Sequence, residues 1–284
     1  MNCFFVTDLH GNVPAAQSLL RLIRDERPRF VFLGGDLLAG GALLGAASGG
    51  SLIENVLAPG LGELRDIMGS AYPHVFVILG NDDPKSEEPI LRHFEQAGFW
   101  QYVNQRHVAC GGLDVFGYSY VPPTPFLNKD WERYDVSRFV DVGCVPPDEG
   151  YHSIPFSLQE AQNRAISEDL ADLADGYDLG RAVFLFHAPP YQSGLDRAAL
   201  DGKIIDHVPL DVYVGSIAIK RFILERQPLV TLHGHVHESY QLSGVWKINL
   251  GKTVCLSAAG NTKALTLVRF STGKPHAAKR QEIG

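Results

Sequence analysis

The sequence contains few cysteines and places them far apart. Among its 284 residues there are four, Cys3, Cys110, Cys144 and Cys255, and no two of them form a CxxC pair. This spacing argues against a zinc knuckle and against a disulfide framework, so we expect four small, buried thiols.

No segment is suited to cross a membrane or to direct export. The longest weakly apolar stretch, residues 37–50, is mostly Gly and Ala, and it is shorter than the roughly 20 residues that a membrane helix needs. Residues 1–6 form a short apolar run without a basic region before it, so a signal peptide is not expected. We therefore predict a cytoplasmic protein with no membrane partner.

Basic residues are also scarce. The chain has 25 Lys and Arg against 32 Asp and Glu, which gives a formal charge of −7, and it has no basic run. Bulk nucleic-acid binding depends on clustered basic side chains and is therefore disfavoured. A small phosphorylated, nucleotide-like substrate remains compatible if metal ions supply local positive charge. The sequence does not define an oligomeric state.

Apolar runs alternate with helical patterns along the front half of the chain. Buried strands are predicted over residues 3–6, 30–33, 75–79, 182–186 and 229–232, because their hydrophobicity is continuous. Helices are predicted over residues 14–27, 158–174 and 216–226. Further strands are predicted over residues 113–120, 253–257 and 264–270, the last as an edge or one-face-exposed strand. This order favours a layered α/β sandwich with mixed sheets.

Two segments carry no clear periodicity. Residues 38–72 are rich in Gly and Ala, and residues 120–156 are rich in Pro and aromatic residues. Structureless insertions of this length are usually functional loops or lids. We therefore expect one domain over residues 1–270 with two such insertions, followed by a polar tail, residues 271–284, that is poorly ordered.

Side chains that bind metals follow five of the predicted strands. They are Asp8, His10, Asp36, Asn81, His187, His235 and His237. Ligands of open α/β sheets bind at the carboxyl ends of strands, so these residues are expected to converge. The i, i+2 spacing within the first and last pairs places both side chains of each pair on one side of an extended backbone.

The chemistry of this set suits a dinuclear centre. Two carboxylates, four imidazoles and one carboxamide favour Mn, Fe, Zn or Ni over Mg or Ca. Two dications held by two carboxylates keep about two units of positive charge, enough to bind a hydroxide and a phosphate. Two metals about 3.5–4 Å apart can stabilise the attacking and the leaving oxygen of an in-line displacement at phosphorus.

The same residues lie in strings that resemble the motifs of calcineurin-like metallophosphoesterases. The strings are Asp8-Leu9-His10, Gly34-Gly35-Asp36, Gly80-Asn81-Asp82-Asp83, His187 and Gly234-His235-Val236-His237. The resemblance implies a first metal bound by Asp8, His10, Asp36 and His237, with Asp36 bridging to a second metal bound by Asn81, His187 and His235. It also implies an α-β-β-α sandwich with two mixed sheets, as in metallophosphatases.

Each motif taken alone has a simpler explanation. Asp8 before a Gly-Asn pair is compatible with a turn that caps the next helix. His187 alone is compatible with an ordinary histidine at a strand end. His233 shares the phase of His235 and His237, but we interpret it as structural. The coincidence of all five motifs favours the metal centre.

The sequence departs from the resembled family next to the Asn ligand. Most members have a histidine there that is thought to protonate the leaving group, whereas this chain has Asp82. The aspartate and arginine that accompany the histidine in protein phosphatases are replaced by Ala39 and Gly40. These three differences argue against a Ser/Thr protein phosphatase and resemble a subgroup without the histidine, which includes phosphodiesterases.

The role of Asp82 has two interpretations. Nearby dications should favour its ionised form and make it a poor general acid. It is either a catalytic residue or a brace for the loop and for His10. Asp83 is interpreted as a turn or cap residue.

Several aromatic residues are candidates for contacts with the substrate. The candidates are Tyr118, Tyr120, Trp131, His152 and Tyr191. They could stack on a base or ring beside the metals, and the competing interpretation is that they pack within the insertions.

The leading hypothesis is a dinuclear, metal-dependent phosphoesterase, with a diester favoured over a monoester, in which a metal-bridging hydroxide attacks phosphorus. The alternative is a catalytically weak or inactive binding or scaffold protein that has kept the fold. The complete ligand set distinguishes the two, because a scaffold does not need it.

Overall fold

The computed structural model describes residues 2–39 and 51–284. The strands of these residues are, in chain order, β1 (Asn2–Val6), β2 (Phe30–Gly34), β3 (His74–Ile78), β4 (Gln101–Tyr102), β5 (Arg106–Cys110), β6 (Leu113–Tyr118), β7 (Ala182–Phe186), β8 (Ile204–Ile205), β9 (Val208–Pro209), β10 (Val230–His233), β11 (Lys247–Leu250), β12 (Thr253–Ser257), β13 (Leu265–Ser271) and β14 (Lys279–Ile283). The helices are α1 (Val13–Glu26), α2 (Ala58–Met68), α3 (Glu88–Gln96), α4 (Leu158–Asn163), α5 (Ile166–Leu173), α6 (Ile217–Arg226) and α7 (Ser239–Ser243).

Most strands belong to two six-stranded mixed sheets. The first sheet has the order β14-β13-β1-β2-β3-β4, and the second has the order β11-β12-β10-β7-β6-β5. Strands β1 to β3 run parallel in the first sheet, and β6, β7, β10 and β12 run parallel in the second. The carboxyl ends of these parallel strands form one edge of each sheet, which is where the predicted ligands lie.

The two sheets pack face to face through alternate residues of their strands. Phe5, Phe32 and Phe76 of the first sheet share a buried cluster with Leu185 and Leu232 of the second. The intervening residues point outward and are covered by helices, which explains why these strands are hydrophobic without alternation.

Helices cover both outer faces. Helix α1 buries Leu19 and Ile23 in the same cluster as Phe4 of β1. On the opposite face, Phe222 of α6 packs edge-to-face against Phe184 of β7, with ring centroids 5.0 Å apart. The prediction of an α-β-β-α sandwich with two mixed sheets is confirmed.

The long helix predicted over residues 158–174 is divided in two. Arg164 and Ala165 adopt extended backbone between α4 and α5. Their neighbour Ile166 donates its N–H to the carbonyl of Tyr134 at 2.8 Å. A tertiary hydrogen bond therefore interrupts a segment whose local pattern is helical.

Part of the first predicted insertion is regular, so its description as structureless is wrong for residues 53–71. Ile53–Leu57 forms a π-helical turn that continues into α2. A side-chain carbon on Gly60 would overlap the side chain of Leu20, so this glycine allows α2 to pack closely on α1. Residues 40–50 lie outside the described residues. Most of residues 120–156 form isolated bridges and turns.

The polar tail is also ordered, contrary to prediction. Strand β14 pairs antiparallel with β13, from Leu265 opposite Ile283 to Arg269 opposite Lys279. Strand β13 is consequently an inner strand, between β14 and β1, and is not the predicted edge. None of the helices in residues 2–39 and 51–284 combines the length and the apolar character needed to cross a membrane.

Cysteine burial was predicted correctly for two of the four thiols. Cys3 and Cys255 are buried, whereas Cys110 and Cys144 are only partly covered. None of the four forms a disulfide.

Candidate metal centre

The seven predicted ligands lie on loops at the carboxyl ends of five parallel strands. They are Asp8 and His10 after β1, Asp36 after β2, Asn81 after β3, His187 after β7, and His235 and His237 after β10. The structure brings all seven to one region between the two sheet edges.

The loops hold unusual backbone conformations at this edge. Asp8, His10, Asp36 and His235 have φ values of 56°, 43°, 50° and 75°, in the left-handed region that non-glycine residues rarely adopt. The N–H groups of Asp8 and His10 donate to the carbonyls of Gly35 and Asp36 at 3.0 and 2.9 Å. Hydrogen bonds between loops thus maintain this strained backbone, which is a pattern found at functional sites.

A first group of ligand atoms comes from Asp8, His10, Asp36 and His237. One atom from each lies within 4.8 Å of all the others. The Nε2 atoms of His10 and His237 are 2.9 Å apart, and His10 Nε2 lies 3.8 Å from Asp36 Oδ2. Asp8 Oδ2 is buried without a hydrogen-bond partner among the described residues. Converging lone pairs beside an orphaned carboxylate oxygen suit a bound cation.

A second group comes from Asn81, His187 and His235. Asn81 Oδ1 lies 3.0 Å from His187 Nε2 and 2.6 Å from His235 Nδ1. Asp36 Oδ2 lies 3.2 Å from His187 Nε2, so one carboxylate oxygen is near both groups. The position of Asp36 between the groups fits a bridging ligand.

Another hydrogen bond orients the ring of His187. Its Nδ1 lies 2.8 Å from the carbonyl oxygen of Gly34 and donates to it. This bond leaves Nε2 as the atom that faces Asp36 and Asn81. The ring is completely buried, which fixes its orientation further.

Charges inside the site strongly perturb its titration. Burial opposes ionisation of Asp36, but the neighbouring His187 outweighs it and holds the pKa of Asp36 well below its usual range. Burial likewise disfavours the charged form of His187, yet Asp36 raises its pKa. Burial and the nearby His187 lower the pKa of His235 to about 3, so this imidazole is neutral and keeps a lone pair.

Asp82 lies against three of the ligand-type residues, Asp36, Asn81 and His10. Its backbone N–H donates to Asp36 Oδ1 at 2.8 Å, and its Oδ1 accepts from Asn81 Nδ2 at 3.0 Å. Its Oδ2 lies 3.6 Å from His10 Nδ1. Burial and repulsion by Asp36 raise the pKa of Asp82, whereas we expected bound dications to lower it. The two effects on the pKa of Asp82 therefore have opposite signs.

Asp83 links two loops of the site. The carboxylate is fully buried and accepts N–H bonds from Gly80, Leu37 and Leu38 at 2.9, 3.1 and 2.8 Å. It therefore fixes the loop after β2 to the loop after β3. The bond from Gly80 fits the predicted turn role, whereas the bonds from Leu37 and Leu38 were not predicted, because these partners are distant in sequence.

Two contacts made by the second insertion were not predicted from the sequence. Asn128 Nδ2 donates to the carbonyl of Asn81 at 2.9 Å, and Trp131 Nε1 donates to the carbonyl of Asp83, also at 2.9 Å. The insertion thus supports the loop that carries a ligand. No sequence signal indicates such bonds to backbone carbonyls.

His233 is structural, as predicted. Its Nδ1 donates to the carbonyl of Ala188, and its Nε2 accepts from Thr231 Oγ1, both at 2.8 Å. Burial lowers its pKa to about 4. Neither ring nitrogen is available for a metal.

The predicted aromatic contacts divide into core and cavity residues. Tyr118 and Trp131 are fully buried and bonded to Asp169 and Asp83, so the predicted substrate contact is wrong for both. Tyr120 is 4% exposed, but it and His152 line a small cavity of about 170 Å³. Tyr191 lines a separate cleft.

The replaced phosphatase positions lie at the border of the described residues. Ala39 is exposed and packs beside Gly11, where a side-chain carbon would lie 2.9 Å from Ala39 Cβ. Gly40 lies outside the described residues.

Known structures share the fold at low sequence identity. One crystal structure superposes with a TM-score of 0.62 at 15% identity and covers 100% of this chain and 99% of the other. The crystal structure of TT1561 from Thermus thermophilus has a TM-score of 0.58 at 15% identity with the same coverage. A dimetal phosphatase from Danio rerio has a TM-score of 0.50 at 11% identity, over 94% of this chain and 92% of the other.

Comparison of the sequence with other proteins gives one informative result. No curated protein matches significantly. The model of the calcineurin-like phosphoesterase family, however, matches residues 1–239, which include all seven predicted ligands. The chain is a member of the calcineurin-like phosphoesterase family.

Proposed function

We propose that this protein is a dinuclear, metal-dependent phosphodiesterase. The observation that carries the proposal is the arrangement of two groups of ligand-type atoms around Asp36, whose Oδ2 lies 3.8 Å from His10 Nε2 and 3.2 Å from His187 Nε2. Membership in a phosphoesterase family and the orphaned oxygen of Asp8 support it.

The residues present fit two metals. Asp8, His10 and His237 would hold the first, Asn81, His187 and His235 would hold the second, and Asp36 would bridge them. This mixed set of nitrogen and oxygen donors suits Mn, Fe, Zn or Ni. When bound, such ions supply Lewis acidity that activates water and neutralises charge on a phosphoryl group.

The protein itself contributes orientation. The Gly34 carbonyl sets the tautomer of His187, and the Asp83 carboxylate fixes the two loops that carry Asp36 and Asn81. Preorganised ligands of this kind avoid the cost of rearranging the site during the reaction.

Asp82 supports the preference for a diester. Its side chain is 36% exposed, and its Oδ2 lies 3.6 Å from His10 Nδ1 at the position where other members have the histidine. When this carboxyl is ionised beside the metals, it repels a dianionic monoester more strongly than a monoanionic diester. In that state it has no proton to donate, so substrates whose leaving group needs little protonation are favoured.

Metal content and hydrolysis test the proposal together. Purified protein is supplemented with Mn, Fe, Zn or Ni, and bound metal is measured alongside hydrolysis of bis(p-nitrophenyl) phosphate and p-nitrophenyl phosphate. We expect about two ions per chain and a higher kcat/KM for the diester. His237→Gln removes a ligand and should lower both, whereas His93→Gln, on the exposed surface of α3, is the matched control.

The outcomes separate the proposal from its rivals. Metal well below one ion per chain with no hydrolysis would refute it. Two bound ions without turnover of either ester would favour the scaffold alternative. Faster turnover of the monoester would overturn the diester preference alone.

A further inference from the structure

A large cleft lies beside the loops that follow β6 and β7. Its volume is about 650 Å³, which is in the range of ligand-binding sites. One wall comes from residues 122–144 after β6, and the other from residues 191–217 after β7. Strands β6 and β7 are parallel neighbours, so both walls start at the sheet edge that carries His187.

The cleft begins a short distance along the chain from a predicted metal ligand. Tyr191 lines the cleft and follows His187 by four residues, so their Cα atoms are at most about 14 Å apart. The N–H of Tyr191 donates to the carbonyl of Ser216 at 3.0 Å, which fixes this connection to the start of α6.

The walls are mainly apolar. They contain prolines, aliphatic side chains and aromatic rings, represented by Pro122, Val136, Phe139, Ile205, Leu210 and Tyr213. Phe139 is 71% exposed and Ile205 is 39% exposed, so large apolar surfaces face the solvent at the cleft. Exposed apolar surface of this kind is commonly covered by a ligand.

The charged groups of the cleft are mostly acidic. Asp135, Asp141 and Asp211 face a single cation, Lys203, among the lining residues. Asp135 accepts from the backbone N–H groups of Ile217 and Ala218, at 2.7 and 3.1 Å, and is thus compensated by the start of α6.

The other two carboxylates belong to exposed residues and do not lie at the start of a helix. Asp211 is held in place, because it accepts from the hydroxyl of Tyr191 at 2.5 Å and from the N–H of Tyr213 at 2.9 Å. The ion pairs among the described residues include neither Asp141 nor Asp211. Partial desolvation and repulsion by Asp211 raise the pKa of Asp141, which indicates that the two carboxylates share one local field.

These features select the chemistry of the occupant. A polyphosphate or a second phosphate would be repelled by the two carboxylates. A nucleobase has ring acceptors that need donors, and Lys203 is the one charged donor among the lining residues. An alkylammonium group satisfies both conditions, because its charge meets the carboxylates and its carbon groups meet the apolar walls and the tyrosine rings.

We propose that the cleft binds the cationic organic group of a phosphoester substrate, of the alkylammonium class, while the phosphate lies at the metal centre. This inference rests on the proposed function for the position of the phosphate. Recognition of the cation depends only on Asp141, Asp211 and the surrounding apolar walls.

A binding measurement tests the cleft independently of catalysis. Benzyltrimethylammonium is titrated calorimetrically into the full-length protein without added metal, and the uncharged neopentylbenzene analogue serves as the reference probe. We expect saturable binding of the cation and at least about tenfold weaker binding to Asp141→Asn and Asp211→Asn. Asp25→Asn, an exposed change on α1 that does not line the cleft, should bind as the wild type does.

Kinetics then connect the cleft to the reaction. The p-nitrophenyl esters of phosphocholine and of thymidine 5′-phosphate are compared with bis(p-nitrophenyl) phosphate on the metal-loaded protein. We expect the choline ester to have the highest kcat/KM and to lose that advantage in Asp141→Asn, while the bis ester is unaffected.

The two proposals fail in different ways. Absence of cation binding, or equal binding to wild type and both Asn variants, overturns the inference about the cleft even if the bis ester is hydrolysed. Preference for the thymidine ester overturns it in favour of a nucleotide substrate. Saturable, Asp-dependent cation binding without hydrolysis of any ester supports the cleft and refutes the proposed phosphodiesterase.

Discussion

Replacing Lys129 with Met should destabilise the second insertion. The Lys129 ammonium lies 2.5 Å from Glu132 Oε2, and both side chains are completely buried. Thr124 completes the cluster, because its N–H and hydroxyl donate to the Glu132 carboxylate at 2.8 and 2.5 Å and its carbonyl accepts from Lys129 at 2.9 Å. The Met variant would leave Glu132 buried with two hydrogen bonds and no opposite charge.

The expected loss follows from the burial of the remaining carboxyl. Removing one partner of a buried ion pair costs about 3–5 kcal/mol of unfolding free energy. Burial raises the pKa of Glu132 to about 7 even with Lys129 present, so its pKa should rise further in Lys129→Met. Replacing both residues, with Glu132→Gln as the second change, should recover most of the loss.

The raised pKa of Glu132 determines how the free energy of unfolding depends on pH. Because the folded pKa of Glu132 exceeds its unfolded value, its stabilising contribution is complete below about pH 4.5 and is lost as the pH rises through the folded pKa. This loss ends near pH 7 in the wild type but continues above it in Lys129→Met. The deficit of the variant should therefore increase between pH 7 and pH 9, by at most about 1.4 kcal/mol per pH unit.

Urea unfolding monitored by tryptophan fluorescence measures this effect, since Trp131 lies next to the pair and bonds the loop of Asn81. Wild type, both single variants and the double variant are compared at pH 5, 7 and 9. A deficit below about 1 kcal/mol at pH 9, or a double variant no more stable than Lys129→Met, would refute the reasoning.

Two substitutions and one labelling experiment probe the site and its surroundings. Asp82→His should raise kcat/KM for phenyl phosphate relative to a diester by about tenfold, and an unchanged ratio would contradict a mechanism limited by proton donation. Gly35→Ala should remove metal binding and lower the free energy of unfolding by more than about 2 kcal/mol. The reason is that φ is +92° at this position and the added carbon would lie 2.6 Å from the Gly80 nitrogen. A metal titration measures the first effect and a thermal melt the second. Burial raises the pKa of the Cys255 thiol to about 12 and of the Cys144 thiol to about 11. At pH 8 a thiol reagent should therefore label Cys144 slowly, and the labelling rate should increase about tenfold for each unit of increase in pH. Cys255 should be labelled only after unfolding. Rapid labelling of Cys255 in the native protein would contradict its burial.

The strands of both sheet centres were predictable because burial on two faces produces continuous apolar runs. The run at 182–186 coincides with β7, and that at 253–257 coincides with β12. Helix α2 was not predictable, since Gly60 and Gly62 weaken the helical pattern. Their small size instead makes room for Leu20 of α1 and for Phe99, respectively. Strand β14 was missed because a polar strand gains its stability from hydrogen bonds to β13, which no local pattern records.

The convergence of the seven ligand-type residues was predictable for a different reason. Each follows a strand, and the shared edge of parallel strands brings distant segments together. Their pairwise distances, the hydrogen bond between His187 and Gly34, and the support from Asn128 depend on packing between segments far apart in sequence. The burial of Tyr118 and Trp131 depends on the path of the insertion, so an aromatic-rich segment could not be divided into core and cleft residues from sequence.

The left-handed backbone at the candidate metal centre links the stability of the folded protein to metal binding under the proposed function. Asp8, His10, Asp36 and His235 each occupy a conformation that costs about 1 kcal/mol, a sum that is large beside a typical net stability of about 5–15 kcal/mol. Under the proposed function, bound metal offsets this cost by mass action, since it binds the folded state. The melting temperature of this chain would then report the free concentration of its metals, and chelation would shift the folding equilibrium as well as the activity.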